Sequence, residues 1–115
     1  MEETLQFLIM VDTDYDHKSV LDTILERFPD AVQLKSNSCD LGGNWIEVWE
    51  NENFDPSLVK DEEAGFLNYR WRVESTPLKG HIGEAEQILL GRRLQSCFKA
   101  GGAKAMVCAD FEDKV

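Results

Sequence analysis

At 115 residues, with 43% hydrophobic and 30% charged side chains, the chain suits one α+β domain spanning 1–115 around a continuous core. Its 22 Asp and Glu against 12 Lys and Arg give a formal charge of −10, which repels nucleic-acid phosphates and anionic lipid and favours a basic protein partner or a cation. The longest apolar run is far short of a membrane span, and MEETLQ lacks the basic start of a signal peptide, so the expectation is a cytoplasmic protein that binds neither nucleic acid nor membrane.

The first element is TLQFLIMV, residues 4–11. Leu5, Phe7, Ile9 and Val11 fall on one side and Leu8 and Met10 on the other, the two-sided pattern of a central strand. Asp16 can cap the helix that follows, in which Val20, Leu21, Ile24, Leu25 and Phe28 recur at helical spacing until Pro29 ends it. AVQLKS, residues 31–36, reads as a short strand, joined through SNSCDLGGN to a second strand at 44–51 as a hairpin. Residues 51–65 are acidic and carry Pro56 and Gly65, so they read as a solvated loop. FLNYRWRVEST alternates next, with Leu67, Tyr69, Trp71 and Val73 opposite Asn68, Arg70, Arg72 and Glu74. HIGEAEQILLGRRLQSCFKAGG gives a second helix with Ile82, Ala85, Leu89, Leu90, Leu94, Cys97 and Phe98 on one side, and AKAMVCADF closes the chain as a last strand.

The order is βαβββαβ. Two helices on one face of a mostly antiparallel sheet, a ferredoxin-like sandwich with one strand added, lets the hairpin pair and covers the apolar sheet face. A doubly wound parallel sheet would have two faces to bury and only two helices to do it.

VDTDYD raises the question of catalysis. A hydrophobic strand ending in Asp-x-Asp resembles the first motif of the haloacid-dehalogenase phosphatases, which implies Asp12 as nucleophile, Asp14 as general acid and a magnesium ion between carboxylate and phosphate. Tyr15 stands where that family prefers Thr or Val, and no downstream Ser/Thr or Lys motif follows. Asp12, Asp14 and Asp16 also match the first ligands of an EF-hand, but His17 takes the place of the turn glycine and Thr23 that of the bidentate Glu, which excludes it. A two-metal arrangement, similar to that of polymerase palms, would use Asp12 or Asp14 with Asp40 at one edge of the sheet. The simpler reading makes these aspartates a strand end, a turn and a helix cap, with no catalytic residue and no cofactor. Cys39, Cys97 and Cys108 lack the spacing of a disulfide framework or zinc cage and read as buried thiols.

The sheet face turned away from the helices carries more information. If Ile46 and Val48 point inward, then Trp45, Glu47 and Trp49 point outward, joined by Arg70 and Arg72 on the neighbouring strand and by Leu8, Met10, Met106 and Cys108. Two helices cannot cover both sides, and Trp with Arg is the composition of a protein interface. This face, with the acidic Asp61, Glu62 and Glu63 of the loop, is the expected partner-binding surface. Leu8, Met10 and Met106 would be buried if two copies paired as a homodimer. Exposed aromatics on such a sheet also resemble RNA-recognition modules, but the −10 charge opposes RNA. In size, acidity and lack of paired cysteines the chain is similar to the immunity proteins of bacterial toxin–immunity systems. That resemblance implies a non-enzymatic inhibitor that covers a basic partner.

Overall fold

In β1, Phe7–Asp12, alternate residues face opposite ways, and Phe7, Ile9 and Val11 are all buried on one side. The computed structural model, which describes residues 5–13, 17–52, 54, 55, 57, 65–78, 83–109 and 115, builds the whole architecture around this strand. The remaining elements are α1 (His17–Arg27), β2 (Val32–Lys35), β3 (Ser38–Leu41), β4 (Asn44–Glu50), a 3-10 turn (Gly65–Asn68), β5 (Trp71–Pro77), α2 (Glu84–Ala100) and β6 (Lys104–Cys108). The strands form one six-stranded sheet in the order β2-β3-β4-β5-β1-β6, with antiparallel pairing throughout. The expected α+β class with two helices is therefore present, while the sheet has six strands where five were expected.

The register explains where the core sits. Ile9 pairs with Val73 and Val107, and Val48 pairs with Val73, so one face of four adjacent strands is apolar. Against it pack Val20, Leu21 and Ile24 of α1 and Leu90, Leu94, Cys97 and Phe98 of α2. Among the described residues, no helix is long and apolar enough to cross a membrane.

Three sequence expectations need correction. The hairpin does not join residues 31–36 directly to 44–51. Ser38–Leu41 forms a strand of its own between them, because Cys39 and Leu41 alternate inward and Gly42 and Gly43, at φ 60° and 79°, supply the tight turn into β4. The strand expected from Phe66 begins only at Trp71. The backbone of 68–70 is taken by the chain after β4: the Asn51 amide donates to the Arg70 carbonyl at 2.9 Å and its side chain to the Tyr69 carbonyl at 2.7 Å. The buried face of α2 is Gln87, Leu90, Gly91, Leu94, Cys97 and Phe98, so Ala85 and Leu89 are exposed rather than in the core. The Asp16 cap and Ile82 lie outside the described residues.

Gln87 is buried by pairing. Asn44 Nδ2 donates to Gln87 Oε1 and Gln87 Nε2 to Asn44 Oδ1, both at 2.9 Å; Gln87 Nε2 also donates to the Leu5 carbonyl, and Ser75 Oγ to Asn44 Oδ1. This network ties α2 to the residue leading into β1, to β4 and to β5, with the side chains of Asn44, Ser75 and Gln87 out of solvent.

Cys39 and Cys97 are buried as expected, whereas Cys108 is half-buried on the outer face. Burial, then the neighbouring Asp40 carboxylate, pushes the Cys39 thiol up from 9.0 to about 11. The folded state keeps a proton that the unfolded chain releases near pH 9, so this contribution is complete below pH 9 and is lost as pH rises towards 11. Urea titrations at pH 8 and pH 11 are expected to show a stability loss that Cys39→Ala reduces by about 2 kcal/mol.

Candidate functional site

Directly paired residues project to the same side of a sheet, so the outer face can be read from the register. Trp49 is opposite Arg72, Glu47 opposite Glu74 and Trp45 opposite Thr76; Met10 lies between Arg72 and Met106, and Leu8 between Glu74 and Cys108. The structure thus brings Trp45, Glu47, Trp49, Arg72, Leu8, Met10 and Met106 together on the side of the sheet away from both helices. Trp49 is 44% exposed and Met106 41%, whereas Met10 is only 4% exposed beneath its neighbours.

The polar groups on this face are unevenly matched. Arg72 Nη2 meets Glu74 Oε1 at 2.8 Å, and Lys35 Nζ lies 5.5 Å from the centre of the Trp45 ring. Glu47 has no ion pair among the described residues. Trp45 Nε1 and Arg72 Nε are shut off from solvent with no acceptor among the described residues.

Arg70 does not join this group. It precedes β5, and its guanidinium stacks 5.8 Å from the Phe54 ring and 5.5 Å from that of Trp71. Asp61, Glu62 and Glu63 lie outside the described residues, as does Asp14. Asp12 ends β1 opposite Lys104, and its carboxylate, after burial, helps to raise the Tyr69 phenol above its ordinary value. Asp40 pairs with Trp45, which pairs with Thr76, beside Gln6 at the other end of β1. The two aspartates are separated by roughly 20 Å along the strand direction alone, at 3.3 Å per residue. They do not form one metal site, because β3 carries Asp40 away from the edge where a simple hairpin would have left it. Among the described residues no group of three or more His, Cys, Asp or Glu could hold a metal ion.

The helix side holds a groove that the sequence did not suggest. About 270 Å³ in volume, it is lined by Phe28, Leu41, Leu89 and Leu90, with the Asn44–Gln87 pair at its floor and Arg93 over Phe28 at 5.0 Å. Its polar floor is already satisfied within the chain. Leu89, expected on the apolar side with Leu90, Leu94 and Phe98, is instead 55% exposed at its lip.

No family model matches the chain, and no solved structure matches it. Over 100 residues, or 86% of its length, the chain is 25% identical to the human protein named Zinc finger protein 462. It spans about 4% of the length of that relative.

Proposed function

We propose that the protein is a non-catalytic protein-binding domain that docks a basic protein on its outer sheet face. The observation that carries this is the exposure of Trp49 and Met106 on a face with Trp45, Leu8 and Arg72, covered by neither helix. Tryptophan and arginine provide most of the binding energy in protein interfaces, and the charge of −10 attracts a basic partner while opposing a second copy of the same chain. Rotation of Trp45 or Arg72 away from the sheet would present its unmatched N–H to acceptors on the partner. Small size and strong acidity, shared with immunity-type inhibitors, support masking of the partner's basic surface as the mode of action. In the same reading, β4-β5-β1-β6 and the two helices form a ferredoxin-like unit that the β2–β3 hairpin extends.

Site-specific photo-crosslinking in the cells that make the protein tests the reading. A photoreactive residue at position 49 or 106 is expected to trap a basic protein, and one at position 89, on the helix side, is not. Trapping from position 89 alone would move the binding surface to the groove.

A further inference from the structure

We propose that Glu47, between the indoles of Trp45 and Trp49, is the seat for an arginine side chain of the partner. This inference rests on the docking reading above and names what the face recognises.

Glu47 and Glu74 are directly opposite on adjacent antiparallel strands, and like charges so placed weaken a ladder. Arg72 compensates Glu74 within the chain, leaving Glu47 without a cation among the described residues. Side chains two residues apart on a strand project to the same side, roughly 7 Å apart, so Trp45 and Trp49 flank Glu47 along β4. The two rings differ in availability. Lys35 already lies over Trp45, while Trp49 is 44% exposed and, among the described residues, carries no cation over its ring. The vacant positions are therefore one carboxylate and one indole face, side by side on a surface of a chain with net charge −10. A guanidinium suits both because it is planar, stacks on an indole and can present two parallel N–H groups to a carboxylate. An ammonium can satisfy the charge but lacks the planar fork. An acid opposite another acid, with no ion pair among the described residues, adds little to the ladder and leaves the carboxylate to a partner.

The test titrates the ¹⁵N-labelled full chain with a nine-residue peptide of alternating Gly and Arg, with Lys and Glu versions in parallel. The Trp49 indole resonance is expected to shift with the Arg peptide, less with the Lys peptide and not with the Glu peptide, while that of the buried Trp71 stays in place. Glu47→Gln should weaken Arg-peptide binding at least tenfold, and Glu52→Gln, which removes the same charge from an exposed residue outside the face, less than twofold. Glu47→Gln should also melt no earlier than the natural chain. Equal weakening by both variants, peptide shifts centred on the α2 groove, or a lower melting temperature for Glu47→Gln would overturn the assignment. Crosslinking from position 49 that persists when the arginine seat fails leaves the docking face standing; loss of both removes the face itself.

Discussion

Gln87→Leu is expected to destabilise the fold by about 3 kcal/mol or more, although it replaces a polar helix residue with an apolar one of similar size. Gln87 Nε2 serves both the Leu5 carbonyl and Asn44 Oδ1, and its Oε1 receives Asn44 Nδ2. Removing it leaves the Leu5 carbonyl without that donor and the buried Asn44 Nδ2 with only a 3.5 Å contact to the Gly42 carbonyl. Desolvated groups that lose their partners cost about 1–3 kcal/mol each, which sets the magnitude. The double variant Asn44→Leu/Gln87→Leu should cost about 1–2 kcal/mol less than the sum of the two single changes, because it removes both sides of the amide pair. Urea denaturation of the four proteins measures the coupling, and strict additivity would mean that the pair does not act as a unit.

A second large effect separates the two faces of β1. Ile9 is completely buried between the sheet and the helices, pairing with Val73 and Val107, so Ile9→Ala should cost about 3–4 kcal/mol in lost transfer energy and cavity. Leu8, the next residue, faces outward and is only half-buried, so Leu8→Ala should cost about 1 kcal/mol. Thermal and urea unfolding of both variants would show the contrast. Equal losses would mean that something covers the outer face as completely as the helices cover the inner one.

The parts of the fold visible in the sequence are those set by hydrophobic period. β1 follows from Phe7, Ile9 and Val11, and α1 from Val20, Leu21 and Ile24. The outward placement of Trp45, Glu47 and Trp49 follows from strict alternation along β4. β3 escaped because Ser38–Leu41 is too short for its alternation to stand out from the turn residues around it, and only the Gly42–Gly43 turn gave it away. The alternation from Leu67 to Val73 ran past the true start of β5, since nothing in the local pattern reveals that Asn51 crosses over to take the carbonyls of Tyr69 and Arg70. Arg70 consequently read as part of the outer face when it stacks on Phe54. Gln87 was not among the residues assigned to the apolar side of α2, because polarity argues for exposure. Its position three residues before Leu90 and seven before Leu94 placed it on the buried stripe, and its partner Asn44 is 43 residues away.

Docking on the outer sheet face is tested most directly by the affinity of the crosslink-identified partner for Trp49→Ala and Leu89→Ala at matched ionic strength. Trp49→Ala should lose roughly 30-fold or more in Kd at a temperature where it remains fully folded, as expected for an interface tryptophan, and Leu89→Ala should stay within about twofold. Undiminished binding by Trp49→Ala, with affinity lost in Leu89→Ala, would contradict it.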